Sequence, residues 1–142
     1  MKLVDVNIFV YAHRPDATDH DRYREWLFSA VGGPGQFAVS ELALSGFIRV
    51  VTNPRVYKDP TPTREAVAAA SAIRDRSNCV RLTPGPRNWP IFADLCEKSE
   101  ATWNAVPDAY HAALAIEHGC EFITADKGFS RFPGLRWRHP LH

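Results

Sequence analysis

Short apolar runs alternate along this chain with segments whose apolar residues recur at helical spacing. The first run, Lys2–Ala12, is almost continuously apolar, which is typical of a strand buried on both faces. Shorter runs predict further strands at 36–40, 79–83, 121–124 and 135–138. Strands that alternate with helices favour a parallel sheet covered on both sides. We therefore predict an α/β fold, a three-layer sandwich with a mostly parallel central sheet flanked by helices.

The segments between these runs carry helical patterns and the residues that begin and end helices. Ser40 and Thr63 are predicted N-caps, and Gly119 is a predicted C-terminal stop. Helices are predicted at about 20–31, 40–52, 63–76 and 107–118, and a further helix is predicted to begin at about residue 91. A chain of 142 residues is long enough for one core. We expect a single domain over residues 1–142.

Charge and cysteine content narrow the class of protein. The chain has 17 basic and 16 acidic residues and a net charge of +1, so any nucleic-acid surface must be local. The three cysteines are widely spaced and form no disulfide framework or CxxC motif. The N-terminal apolar stretch is interrupted by Asp5 and Asn7, unlike a signal peptide or a membrane span. We expect a cytoplasmic protein with no membrane contact.

Four carboxylates stand at the ends of separate apolar runs: Asp5, Glu41, Asp108 and Asp126. Asp5 and Asp126 belong to two predicted strands, and parallel sheets gather ligands at the carboxyl ends of their strands. Glu41 and Asp108 fall in the first turns of predicted helices, where the helix dipole favours an anion. The sequence therefore predicts that all four side chains meet at one edge of the sheet.

Taken singly, three of these carboxylates have an ordinary structural explanation. Glu41 and Asp108 are typical of helix starts, and Asp126 before Gly128 is typical of a turn. Asp5 is different, because acidic residues are depleted in strands. Asn7 would lie on the same face of that strand by period-two alternation. This pair favours a functional interpretation.

Oxygen ligands without a histidine or cysteine cluster suit Mg²⁺ or Mn²⁺, and either ion pairs readily with phosphate oxygens. We predict Asp5, Asp108 and Asp126 as metal ligands in a site that hydrolyses phosphodiesters. Glu41 or Asp126 is predicted to act as the base or to orient the attacking water. Asn7 and Thr124 are predicted to support the carboxylates through hydrogen bonds. The histidines show no HExxH spacing, so zinc is disfavoured.

Four motifs in order carry a family resemblance: DVN at 5–7, SEL at 40–42, NAVPDAYHAALA from Asn104, and TADKGFSRFPGLRW from Thr124. The chain resembles the PIN-domain ribonucleases of the VapC toxin type over almost its whole length. The resemblance implies Mg²⁺- or Mn²⁺-dependent endonucleolytic cleavage of RNA, a homodimer, and inhibition by a cognate VapB-type antitoxin. It also implies that Asp5, Glu41, Asp108 and Asp126 are the four acidic residues of the site.

Basic residues close in sequence to the acidic segments are the predicted RNA contacts. They are Arg14, Arg49, Lys127 and Arg131. These side chains would hold phosphates, and Trp103 would stack on a base. An arginine or lysine of an antitoxin is predicted to replace the metal among the carboxylates.

Two alternatives remain open. An aspartyl-nucleophile phosphatase also begins with an acidic motif after a central strand, although Asn7 in place of a second aspartate counts against this class. The other alternative is a non-catalytic RNA- or protein-binding module whose acidic residues are structural, because fold alone does not fix function.

Overall fold

The computed structural model describes residues 1–142 as a five-stranded sheet with helices on both faces. The strands are Lys2–Val4 (β1), Phe37–Ser40 (β2), Cys79–Leu82 (β3), Glu121–Ile123 (β4) and Trp137–Arg138 (β5). All strand pairs are parallel, and the strand order is β3-β2-β1-β4-β5. The predicted parallel sheet is confirmed, and no helix is long and apolar enough to cross a bilayer.

Six α-helices connect these strands, together with a 3-10 helix at Lys127–Arg131 that follows β4. The α-helices are Val6–His13 (α1), His20–Gly32 (α2), Glu41–Val51 (α3), Thr63–Arg74 (α4), Asn88–Ser99 (α5) and Ala105–Glu117 (α6). Ser40 is the N-cap of α3, as predicted, and its Oγ accepts a hydrogen bond from the Ala43 N–H at 3.0 Å. Thr63 is not a cap, because α4 begins at Thr63 itself and Pro62 precedes it.

The alternation of side chains along the strands divides the core into two layers. Leu3, Ala38 and Phe122 pair across the sheet and face the cluster that includes Leu95 of α5 and Leu114 of α6. Val4 and Ile123 pair on the opposite face, where α1 to α4 supply the other cluster. Two separate apolar clusters on the two faces of one sheet confirm the predicted three-layer sandwich.

The sequence predicted one long strand over the first apolar run, and this prediction is wrong. β1 ends at Val4, and α1 begins at Val6. Asp5 has extended backbone angles and caps α1, since its Oδ1 accepts from the Val6 N–H at 2.7 Å. The α1 residues are apolar because the helix is buried on most of its surface, and a continuous apolar run does not distinguish a buried helix from a buried strand.

Candidate active site

The strand order reverses between β1 and β4, and this reversal creates a crevice at the carboxyl ends of the two strands. Asp5 directly follows β1, and Asp126 lies just beyond β4. The strands pair in register from Lys2 opposite Glu121 to Val4 opposite Ile123. Parallel pairing therefore brings the two aspartates to the same edge of the sheet.

Asp5 is 5% exposed and is held at both carboxylate oxygens. Its Oδ1 accepts from the Val6 N–H at 2.7 Å, and its Oδ2 accepts from the Thr124 hydroxyl at 2.7 Å. Thr124 is fully buried, and its Oγ1 also accepts from Asn7 Nδ2 at 3.2 Å and from the Asp126 N–H at 3.0 Å. One hydroxyl therefore links the two segments that carry the aspartates.

Asn7 also contacts the segment after β4, but it does so from a helix and not, as the sequence predicted, from a strand. It lies in the first turn of α1, where its Oδ1 accepts from the Ala125 N–H at 3.2 Å. Asn7 therefore lies near Asp5, as predicted, because both residues are at the start of α1 and not because they alternate along a strand. The contacts of Asn7 and Thr124 fix the segment that follows β4 against the start of α1.

Asp108 and Asp126 reach the same pocket from two further segments. Asp108 lies in the first turn of α6 and is partly exposed. Asp126 is exposed and precedes the 3-10 helix, and its Oδ1 accepts from the Gly128 N–H at 2.7 Å. The pocket that contains Asp5, Asp108 and Asp126 is also lined by Asn7, Tyr11, Arg49, Tyr57, Asn104 and His111 among others.

Burial and repulsion between neighbouring carboxylates disfavour the charged forms of Asp5 and Asp108. Burial raises the pKa of Asp5 from 3.8 to about 6, and the charge of Asp126 adds to this effect. Burial also raises the pKa of Asp108, as do the charges of Asp5 and Asp126, whereas Arg131 lowers it. The Nη2 of Arg131 stands 3.5 Å from Asp108 Oδ2. The pocket is therefore a place where added positive charge is favourable.

The donor set fits a hard divalent cation, although the carboxylates are not in coordinating positions. No three acidic, histidine or cysteine side chains stand close enough together to hold one metal ion. Several of the oxygens are instead engaged by Val6, Thr124, Gly128 and Arg131. Carboxylate oxygens are nevertheless the ligands that Mg²⁺ and Mn²⁺ prefer. A cation at this position would relieve the repulsion.

Glu41 does not join the other three carboxylates. It begins α3, as predicted, but its exposed side chain forms an ion pair with Arg74, with 2.9 Å between Oε2 and Nε. It lines a separate, largely apolar pocket with Leu42, Phe92, Val106 and Tyr110. The predicted convergence is therefore seen for three carboxylates and not for the fourth.

Arg14 is not a free surface cation, in contrast to the RNA contact predicted from the sequence. It is 8% exposed, and its guanidinium donates to both carboxylate oxygens of Asp16, to the Asp59 carbonyl and to the Thr61 hydroxyl. It also lies over the Tyr57 ring at 4.0 Å. Arg14 therefore fastens the loop after α3 to the end of α1.

The other three predicted RNA contacts are exposed. Arg49 lines the pocket and forms no ion pair or side-chain hydrogen bond. Lys127 is exposed immediately after Asp126. Arg131 is exposed but is engaged by the Gly128 carbonyl at 2.8 Å and by Asp108. Two basic side chains are therefore available near the acidic pocket.

His111 is a pocket residue that sequence reasoning did not assign to the site. It follows Asp108 by one helical turn, is 8% exposed and stacks on Phe122 with 6.4 Å between ring centroids. Burial lowers the pKa of His111, which favours a neutral imidazole. The sequence signal was its i, i+3 spacing from Asp108, which places both side chains on one helix face.

Comparisons with known proteins identify the family. The PIN domain model matches residues 2–135. Ribonuclease VapC43 of Mycobacterium tuberculosis is 43% identical over 141 residues, which cover 99% of this chain and 96% of that protein. The fold matches that of VapBC2 from Rickettsia felis, crystallised with a promoter DNA fragment, at a TM-score of 0.69 and 17% identity over 97% of both chains. It also matches a toxin–antitoxin complex from Klebsiella pneumoniae at a TM-score of 0.62 and 20% identity, covering 99% of this chain and 98% of that one. The chain therefore belongs to the PIN-domain family and, within it, to the VapC ribonucleases.

Proposed function

We propose that this protein is a metal-dependent endoribonuclease and the toxin of a toxin–antitoxin pair. The observation that carries the proposal is the pocket that Asp5, Asp108 and Asp126 line, in which burial and repulsion raise the pKa of Asp5 and Asp108. Membership of the VapC ribonucleases supports RNA as the substrate. The reaction is hydrolysis of a phosphodiester bond within the RNA chain.

The three aspartates would hold Mg²⁺ or Mn²⁺ through their carboxylate oxygens. The bound cation would lower the pKa of a water molecule and neutralise charge that develops on the phosphate. Thr124 and Asn7 keep Asp5 in position through the hydrogen bonds at the sheet edge. To bind the cation, Asp108 would give up its ion pair with Arg131, and the guanidinium could then contact an RNA phosphate.

Asp126 is the proposed carboxylate that orients the attacking water. It is exposed, and its Oδ2 accepts no hydrogen bond within the protein, so this oxygen can face a water molecule. Glu41 was the other predicted base, and it can act only if it leaves Arg74. We therefore expect Glu41→Gln to reduce cleavage less than Asp126→Asn does.

Arg49 and Lys127 are the proposed contacts to RNA phosphates beside the pocket. Neither side chain is neutralised by an ion pair within the protein. Arg131 would also contact an RNA phosphate once Asp108 binds the cation and its ion pair with Arg131 is broken. We do not propose this role for Arg14, because its donors are used within the fold.

A VapB-type antitoxin is the proposed protein partner. The Klebsiella pneumoniae structure is itself a toxin–antitoxin complex, and its fold matches this chain over nearly the full length. The contact between Arg131 and Asp108 shows how a guanidinium lies against this acidic pocket, and an arginine of the antitoxin would be bound in the same way. An antitoxin complex that cleaved RNA as fast as the free protein would contradict the proposed inhibition by the antitoxin.

We propose the cytoplasm as the compartment, since all three cysteines are free thiols.

A homodimer is proposed from the exposed apolar surface beside Glu41. Leu42 is 48% exposed and Val106 is 36% exposed, and both line the largely apolar pocket between α3, α5 and α6. A second copy would cover this surface. We expect light scattering to give twice the chain mass and Leu42→Asp to give the monomer mass. A wild-type protein of monomer mass at micromolar concentration would contradict the dimer.

The decisive test is cleavage of total cellular RNA by the purified protein with Mg²⁺, Mn²⁺ or EDTA. Asp108→Asn removes one proposed ligand, and Asp94→Asn is the matched control, because Asp94 is exposed on α5 and pairs only with Lys98. We expect discrete cuts that EDTA abolishes, a loss of about 100-fold or more in Asp108→Asn, and wild-type activity in Asp94→Asn.

Other outcomes would favour the alternatives. Cleavage that resists both EDTA and Asp108→Asn would identify a contaminating nuclease. RNA binding without cleavage in any metal would favour the non-catalytic binding module. A covalent phosphoryl group trapped on Asp5 would favour the phosphatase.

A further inference from the structure

Trp103 is the most exposed large apolar side chain of the protein, at 86% exposure. The other three tryptophans each have a partner. Lys2 lies over the ring of Trp26, Trp89 packs against Phe92 at 5.5 Å, and Trp137 packs against the core beneath β5. The indole of Trp103 has no aromatic or cationic partner and contributes little apolar burial to the fold.

The backbone conformation of Trp103 is a second feature, besides the exposed indole, that is unfavourable for stability. Its φ angle is +52°, in the left-handed region, which residues with a Cβ adopt only with strain and glycine adopts freely. A bulky residue in this conformation that also leaves its side chain in water is unfavourable for stability on both counts. Such positions concentrate at functional sites.

The position of Trp103 in the chain relates it to the acidic pocket. The next residue, Asn104, lines the pocket that holds the three aspartates, and Asp108 follows in the first turn of α6. The Ala105 and Val106 N–H groups donate to the Thr102 and Trp103 carbonyls at 3.0 and 3.1 Å, so this turn is joined to the helix that carries Asp108. Trp103 is therefore one residue away from the lining of the acidic pocket, at the start of the helix that carries Asp108.

We propose that Trp103 is a substrate-binding residue that stacks on an unpaired base next to the scissile phosphate. This inference rests on the proposed ribonuclease function and adds a residue that contacts the substrate: the indole of Trp103 would stack on a base that is not paired in a duplex. Bases inside an A-form duplex are stacked on each other and are closed to an indole, whereas unpaired bases are open to aromatic side chains. Stacking of one base accounts for about 5- to 150-fold in affinity.

The test uses Trp103→Gly, because glycine relieves the backbone strain and removes the indole at once. A side chain with a purely structural role would lose stability on removal. A binding residue held under strain would gain stability and lose RNA affinity. We expect Tm to rise by about 3 °C and affinity for a fluorescein-labelled single-stranded oligonucleotide spanning the mapped cut to fall by about 5- to 150-fold.

Binding is measured in the Asp108→Asn background, so that the oligonucleotide stays intact, and cleavage is measured in the otherwise wild-type protein. Trp103→Phe retains an aromatic ring and should stay closer to wild type in both. Trp89→Ala removes another exposed indole, 70% exposed on α5, and should leave RNA affinity unchanged. The fully paired duplex should bind equally to all variants.

Several results would overturn the inference. If Trp103→Gly bound and cleaved the oligonucleotide like its parent, Trp103 would not contact the substrate, while the ribonuclease proposal would stand. If the same variant kept RNA affinity but lost the dimer or the antitoxin, the indole would be a protein contact. A lower Tm would refute the strain argument. If the wild-type protein neither bound nor cleaved RNA, the proposed function itself would fail.

Discussion

Replacing Asp5 with asparagine should stabilise the metal-free protein at neutral pH, although Asp5 is central to the proposed site. Asp5 is 5% exposed, and its pKa is raised from 3.8 to about 6, chiefly by burial. Because the folded-state pKa lies above the unfolded value, the native state binds more protons between these values. The stability of the wild type is therefore full below about pH 4 and falls as the pH rises through about 6.

The size of the effect follows from the pKa rise. A rise from 3.8 to about 6 corresponds to about 3 kcal/mol at about 1.4 kcal/mol per pKa unit. Asparagine keeps an acceptor for the Val6 N–H, but its NH₂ group would replace the oxygen that accepts from the Thr124 hydroxyl, and Thr124 Oγ1 already accepts two hydrogen bonds. The new NH₂ group and the Thr124 O–H would then both be unpaired donors, which offsets about 2 kcal/mol. We expect a net gain of about 1 kcal/mol above pH 7, or a few degrees in Tm.

The assay is thermal unfolding of wild type and Asp5→Asn in EDTA from pH 4 to pH 8. The difference should grow in favour of the variant as the pH rises and then level off. Adding Mn²⁺ at pH 7.5 should raise the Tm of the wild type more than that of the variant, since a ligand stabilises only the state that binds it. A wild type that is more stable than Asp5→Asn at pH 8 without metal, or a difference independent of pH, would refute the reasoning.

Three further substitutions test the remaining features of the structure. Gly85→Ala should lower the free energy of unfolding by about 1 to 3 kcal/mol. The added Cβ would lie 2.7 Å from Oε2 of Glu117, whose Oε1 accepts from the Gly85 N–H and whose Oε2 accepts from the Arg87 N–H. Urea denaturation measures this loss, and an unchanged midpoint would contradict it. Arg14→Ala should lower stability by about 2 kcal/mol and leave the RNA affinity of the folded protein unchanged. Arg49→Ala should leave stability unchanged and weaken RNA binding with a shallower dependence on salt; fluorescence anisotropy at several salt concentrations checks both arginines, and a reversal of the two patterns would contradict the assignment.

The parallel sheet and most helices could be predicted from the sequence, because their apolar periods and caps are local signals. Ser40 and Gly119 mark the start of one helix and the end of another as their residue types indicate. The end of β1 could not be predicted. Asp5 interrupts an apolar run that continues into α1, and a helix buried on most sides has the same composition as a buried strand.

The site was predictable in part, since strand ends and helix starts follow from the sequence whereas side-chain partners do not. Asp5, Asp108 and Asp126 reach one pocket because the strand order reverses between β1 and β4. The ion pair of Glu41 depends on Arg74, which lies 33 positions along the chain. The burial of Arg14 likewise depends on a loop distant in sequence. Such long-range pairings leave no local signal.

The most direct test of the central claim is calorimetric titration of the purified protein with Mn²⁺ in the absence of RNA, for wild type, Asp126→Asn and Asp94→Asn. If the three aspartates form one cation site, the wild type and Asp94→Asn should bind Mn²⁺ with the same affinity. Asp126→Asn should bind it at least about 10-fold more weakly. Equal Mn²⁺ affinity in all three proteins, or no binding by the wild type, would contradict the account.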